Sequence, residues 1–515
     1  MRKNFVLLIV SFLLCMPEVA SSKKKNDVQN SEITEVVDAS NSQLKFNILT
    51  ESTAEVINDD SYWSLISATI PAKIKIGDYV FTVTRIGSKA FEKCQNLTSI
   101  EIPSSVTSIG NEAFSDCSSL TKIKIPSSVT SIGEGAFFDC KNLTDIELPS
   151  SITRIEYGLF EGCKELTSIK IPSNVTTIGG VAFNLCANLK KIEIPSKVTS
   201  IGNGAFHGCE KLKNISVDSN NPNYSTMDGV LYNKNKTEIV VVPGSTKGKF
   251  TIPSSVTSIS KGAFARCKGL KSIEIPSSVT SIGEFAFSNC EGLTNIEIPS
   301  SVTSIGDFAF STCPNLTSIK IPSSVTYIGD WVFSHCYSLT SIEIPSSVTK
   351  IGDWAFSHCE GLTDIKIPSS VTSLGDQAFS HCYSLTSIKI PSSVTNLGNS
   401  AFEKCTSLTN AEIPSSVDSI KNHVFRYCEN LTSIEIPSSV TFIGKGAFEE
   451  CKNLANLEIS SNVKEIGYGA FFNCKNLKIV IDNSKYNIKI GDGAFLECKD
   501  VIFTKDSENP AIIEP

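Results

Sequence analysis

The sequence predicts an α/β repeat solenoid of about 17 turns with a 23-residue period, a parallel sheet on one face and short helical turns on the other. Three observations carry that prediction. Seventeen cysteines, from Cys94 to Cys498, recur at steps that are nearly all 23 residues long. Within a step, a run such as Ser99-Ile100-Glu101-Ile102 alternates polar and apolar residues, so both isoleucines face inward as in a half-buried strand. Each step then closes on Ala-Phe-x-x-Cys, as in Ala113-Phe114 to Cys117, which reads as a short helical turn.

Taken in order, Arg2 and Lys3, the apolar run Phe5 to Leu14 and Ala20-Ser21-Ser22 give residues 1–22 the anatomy of a secretory signal peptide. Beyond it no apolar run reaches the roughly 18 residues a membrane-spanning helix needs. Residues 23–47 are polar and read as a flexible arm, and residues 48–85, with the alternation Tyr79-Val80-Phe81-Thr82-Val83, read as a strand-rich cap. Repeats are expected over 86–215 and 249–505, with a short tail at 506–515.

Within a repeat, Pro103 ends the strand because it has no N–H to give a ladder. Val106 and Ile109 form a second inward pair, and Gly110 turns the chain. Asn111 and its equivalents Glu134, Asp307, Asp330 and Asp353 are placed to cap the helical turn. The step from Cys209 to Cys267 is 58 residues, so one turn carries an insertion, assigned to residues 216–248. Asp228-Gly229-Val230-Leu231-Tyr232, the polar Asn233 to Lys236 and the run Thr237 to Val242 read as a hairpin.

Leu97-Thr-Ser-Ile-Glu-Ile fits L-x-x-L-x-L with isoleucine in two places. Followed by Pro-Ser-Ser-Val-Thr-Ser-Ile-Gly-x-x-Ala-Phe-x-x-Cys, the unit resembles the BspA-like leucine-rich repeat family of secreted and surface proteins from bacteria and protists. The resemblance covers about residues 75 to 500, and Asn221-Pro222-x-Tyr224 with Gly229-Val230-Leu231-Tyr232 looks like an insertion that the family carries. It implies a leucine-rich repeat fold and a role in adhesion to matrix proteins, other cells or other microbes. It implies no catalytic residues.

The remaining chemistry is sparse. A net charge of -7 over 515 residues gives no basic footprint for nucleic acid. No phosphate-binding Gly-Lys loop, paired-cysteine zinc pattern or Gly-x-Ser-x-Gly elbow is present, so the reading is non-enzymatic, with no cofactor and no metal. Cysteines on adjacent turns would lie about 5 Å apart, which permits disulfides. Their place after Ala-Phe in an apolar slice favours buried thiols instead.

The sharpest departure from consensus lies between residues 285 and 383. Phe285, Phe308, Trp331 and Trp354 occupy one variable position in four successive turns; His335, His358 and His381 form a column beside them, flanked by Tyr337 and Tyr383. Aromatics with polar handles are enriched in binding surfaces, which makes these nine residues the candidate ligand-binding set. Lateral packing between duplicated turns is the plainer alternative. The column Asp307, Asp330, Asp353 and Asp376 is explained by helix capping. Together these features predict a secreted or cell-surface protein that binds an extracellular protein or glycan through an extended surface. The alternative is a structural spacer or a self-assembling coat.

Overall fold

A computed structural model describes residues 36–40 and 42–505. The expected signal peptide at 1–22, the arm before residue 36 and the tail at 506–515 lie outside the described residues.

In the coil from Leu97 to Cys117 the apolar residues fill one slice of core: Leu97, Ile100, Val106, Ile109, Ala113, Phe114 and Cys117 are all buried. Ser99–Glu101 is a strand with its middle residue inward and its flanks exposed. After Pro103 a turn closes through Val106 N–H to Pro103 O at 3.1 Å, and a two-residue strand, Ser108–Ile109, follows. Stacked coils therefore carry two parallel ladders. In the first, Lys122 pairs with Asp145 and Lys124 with Glu147, so opposite charges sit side by side; in the second, Ile132 pairs with Ile109.

The return side is not helical. Among the described residues the one helical segment is a 3-10 turn at Asp60–Ser64 in the cap. In the repeats, Glu112, Phe114 and Asp116 donate their N–H groups to Glu134, Ala136 and Phe138 of the next coil at 2.7–2.8 Å. Between and after them, Ser115 and Cys117 bond locally, to Glu112 O and Phe114 O. An α-helix would keep every such bond within its own segment and every φ negative, whereas Glu112 and Asp116 stand at φ 53° and 59°. Alternate N–H groups thus stitch coil to coil.

The capping column is corrected in the same way. Asp307 Oδ1 accepts from Asp330 N–H, Asp330 Oδ1 from Asp353 N–H and Asp353 Oδ1 from Asp376 N–H, at 2.8–2.9 Å. Asn111 does the same for Glu134 N–H at 3.1 Å. Each side chain caps the following coil and not its own.

All seventeen described cysteines are buried free thiols. Each from Cys117 onward donates to a main-chain carbonyl of the preceding coils, as Cys336 Sγ does to Phe310 O at 3.3 Å. The phenylalanines stack in register beside them, Phe91 on Phe114 at 5.4 Å between ring centroids and 4° from parallel.

At the N-terminus the polar stretch expected to be an arm enters the sheet from residue 36: Val36–Asp38 pairs with Lys73–Ile76, and Lys45–Ile48 with Thr53–Ile57. Tyr79–Ile86 then pairs with Ser108–Ile109 and joins the cap to the second ladder.

The long step between Cys209 and Cys267 contains a complete coil without a cysteine, which brings the solenoid to about eighteen coils. Its first-ladder strand, Asn214–Val217, pairs with Lys191–Ile194. The chain then forms the antiparallel pair Tyr224–Met227 and Val230–Asn233, turning at Asp228 and Gly229 with φ 52° and 79°, where a backbone without Cβ fits the second position. Glu238–Val241 rejoins the second ladder beside Ser258–Ile259. The buried residues divide here into two clusters, one ending at Ile215, Leu231 and Val241 and the other beginning at Val230, Tyr232 and Ile239.

Candidate binding surface

The turn segment of each coil that carries a cysteine holds two residues in the left-handed region, four apart. In the coils of interest these are Phe285, Phe308, Trp331 and Trp354 at the first position, with φ between 55° and 60°. At the second they are His335, His358 and His381, with φ between 58° and 61°. Elsewhere the first position is often glycine, as at Gly135, Gly158, Gly204, Gly262, Gly446 and Gly469. A residue with a Cβ costs about 1–2 kcal/mol in this region, so glycine is the relaxed choice and the bulky rings are held against local preference.

Stacking offsets part of that cost. Phe285 lies on Phe308 at 4.5 Å, Phe308 on Trp331 at 5.5 Å and Trp331 on Trp354 at 4.5 Å, all within 11° of parallel. The four rings are half-buried and form one continuous ledge, with the Lys261 ammonium over the Phe285 end at 5.5 Å. The sequence column is therefore one physical object.

The histidines make a second stack. His335 and His358 lie 4.4 Å apart, His358 and His381 4.1 Å, and Tyr337 and Tyr383 meet the two outer rings edge-on at 5.8 Å. Each imidazole Nδ1 sits 2.8–2.9 Å from the hydroxyl of the preceding serine, Ser334, Ser357 or Ser380, all three wholly buried. The serine fixes the ring plane, leaving Nε2 as the remaining polar atom. Burial pushes all three imidazoles below the usual value. His358 falls to about 4 because its two stacked neighbours add to the effect. The stack is therefore neutral at pH 7, a column of rings and not a column of charge. Among the described residues no ring-on-ring contact links the histidine stack to the tryptophan ledge, so the nine candidate residues form two stripes, joined through Ser334 and Ser357, whose N–H groups donate to Trp331 O and Trp354 O.

Sequence reasoning passed over Tyr327. It takes the place of serine in Val-Thr-Ser-Ile, which was the available signal, and it stands exposed beside the ledge with its hydroxyl 3.2 Å from Asp330 Oδ1. Burial and the Asp330 carboxylate push its phenol up. The Lys350 ammonium lies over its ring at 5.5 Å. The aspartates of this column spend an oxygen on the next coil's N–H. Among the described residues no group of three or more His, Cys, Asp or Glu side chains is arranged to hold a metal ion. None of their helices is long and apolar enough to cross a membrane.

The profile of the "BspA type Leucine rich repeat region (6 copies)" matches overlapping stretches 84–213, 136–248, 244–362, 329–454 and 418–509. The chain belongs to the BspA type leucine-rich repeat family. Among solved structures, this family member is similar to a leucine-rich repeat protein from Eubacterium ventriosum. The two are 28% identical over 71% of this chain and 93% of that one, with a TM-score of 0.53. It is also similar to a leucine rich cell surface protein from Faecalibacterium prausnitzii, 32% identical over 70% of this chain and 94% of the other, with a TM-score of 0.49. No curated protein sequence matches it. The BspA type repeat accounts for the two ladders and the core slice; the aromatic and histidine stripes fill positions that vary from coil to coil within this chain.

Proposed function

We propose that this protein is a non-enzymatic, surface-exposed adhesion protein. In this reading its aromatic ledge (Phe285, Phe308, Trp331, Trp354) and histidine stack (His335, His358, His381, with Tyr337 and Tyr383) contact a protein or glycan on another cell or on matrix. One observation carries the reading: four consecutive coils keep a large aromatic ring in a left-handed conformation, at a position where seven other coils have glycine and the rest have Lys89, Glu112, Val181, Gln377, Ser400 and His423. Strain retained at an outward position points to a use other than folding. Stacked half-buried rings also offer a large contact area at little entropic cost, because they are already ordered. Family membership and the cell-surface description of the Faecalibacterium prausnitzii relative support export and display.

The test is a binding screen of residues 23–515 against immobilised matrix proteins and a glycan array, repeated with the Trp331→Ala/Trp354→Ala double variant. Saturable binding that weakens at least about tenfold in the variant supports the ledge as the site, since truncated aromatic hot spots cost about 2 kcal/mol or more. Binding of undiminished strength removes the ledge from the account.

A further inference from the structure

The second ladder lapses between Ile132 and Arg154, between Ile305 and Tyr327 and between Leu397 and Ser419, where the next coil follows at the regular spacing, and again at the cysteine-less coil, where the inserted hairpin enters. Ser200–Ile201 pairs with Thr177–Ile178 on one side and with no strand on the other. One coil earlier, Ile178 O accepts from Gly202 N–H at 2.7 Å; Ile201 O receives no such bond among the described residues. The turn segment parts at the same level. Val181 N–H donates to Asn203 O and Gly262 N–H to Glu284 O, at 2.9 and 2.8 Å, yet the equivalent N–H of Gly204, a buried residue, has no acceptor among the described residues. Buried backbone donors are nearly always paired, so an orphan of this kind marks a place where something else binds.

Between these groups lies a cavity of about 310 Å³. Tyr224, brought in by the inserted hairpin, accepts Ile201 N–H on its phenol oxygen at 3.1 Å and keeps its own hydrogen to donate. Glu238 accepts from Ser260 through one carboxylate oxygen, which leaves the other. The Asn203 amide is exposed at the rim, and Lys261 is already neutralised by Glu284. His207 also lines the space, held neutral because burial pushes it down to about 4. Donors and acceptors are thus mixed, with no surplus cation for an anion and little apolar wall for a lipid.

We propose that this cleft is a saccharide-binding subsite, separate from the aromatic ledge, that takes one or two pyranose rings through Gly204 N–H, Ile201 C=O, Tyr224, Asn203 and Glu238. Sugar hydroxyls donate and accept at once, which is what a wall of alternating unpaired donors and acceptors requires. The volume falls at the small end of ligand pockets, about 300–1,000 Å³, and suits a mono- or disaccharide.

Saturation-transfer NMR and calorimetry on residues 23–515 test this, with galactose, mannose, fucose, N-acetylglucosamine, lactose and diacetylchitobiose as probes. At least one probe should bind saturably, and Glu238→Gln and Asn203→Ala should each weaken it about tenfold, the usual effect of removing one partner of a buried polar contact. Circular dichroism of both variants should match the parent. The Trp331→Ala/Trp354→Ala variant should bind the same sugar unchanged, so failure of the ledge reading and failure of this one are separable. No saturable binding by any probe overturns the proposal. So does a sugar whose affinity is indifferent to both cleft substitutions, or one lost in the tryptophan variant alone.

Discussion

Trp331 and Trp354 stack with centroids 4.5 Å apart and planes 8° from parallel, while both backbones stand left-handed at φ 60° and 57°. Two opposed effects meet there. An aromatic pair contributes about 0.5–1.5 kcal/mol beyond its buried area, and each left-handed residue with a Cβ costs about 1–2 kcal/mol. Replacing Trp331 by glycine removes two stacked pairs, with Phe308 and with Trp354, and one strained residue, so Trp331→Gly loses about 1–3 kcal/mol of stacking and regains about 1–2 kcal/mol of backbone strain. Alanine loses the ring and keeps the strain, so Trp331→Ala should be the less stable variant by about 1 kcal/mol. Urea unfolding of the two variants checks the order.

The thiols give a second outcome. All seventeen are buried, and burial pushes Cys313 and Cys405 up to about 12, so neither a path nor a thiolate is present for reagent. Native protein should react at few cysteines, and denatured protein at nearly all. Few reactive thiols after denaturation would mean that disulfides bridge the coils.

Asp330 tests the coil-to-coil cap. Its Oδ1 accepts from Asp353 N–H at 2.9 Å, so Asp330→Ala should cost about 1 kcal/mol, the usual loss for a cap. Asp330→Asn should be nearly neutral, because Asn111 and Asn422 already do this task for Glu134 and Lys445. Equal loss in both variants, measured by thermal unfolding, would place the effect in charge and not in the hydrogen bond.

Acid should weaken the fold in a defined window. Burial lowers His207 and His358 to about 4 in the native chain, from the ordinary imidazole value of about 6.5. Above pH 6.5 both are neutral in native and unfolded states and add no pH dependence. As pH falls from there toward 4 the unfolded chain takes up protons that the native chain refuses, so stability declines. Thermal melts of His358→Gln over this range should show a shallower decline than the parent.

Period, strands and core slice were legible because they rest on side-chain alternation: Ile100 and Ile109 face inward wherever the chain repeats. The return side was misread. Ala113, Phe114 and Cys117 have a spacing that suits a helical turn, and what forbids one is the backbone at Glu112 and Asp116. The signal for that was present in other coils, as Gly135 and Gly158 in one column and Gly162 and Gly208 in the other. The aromatic and histidine columns could be read off as columns; the strain in their backbones, the buried serines behind the imidazoles and the gap opened by the hairpin could not, because each depends on how one coil meets the next.

If the ledge is where a partner is bound, tryptophan fluorescence reads the contact directly. Trp63, in the cap, is the chain's third tryptophan, so a Trp63→Phe background leaves emission to Trp331 and Trp354 alone. Titration with the protein or glycan recovered from the binding screen should shift or quench that emission along the same saturation curve as binding. Saturable binding with unchanged emission would contradict binding at the ledge.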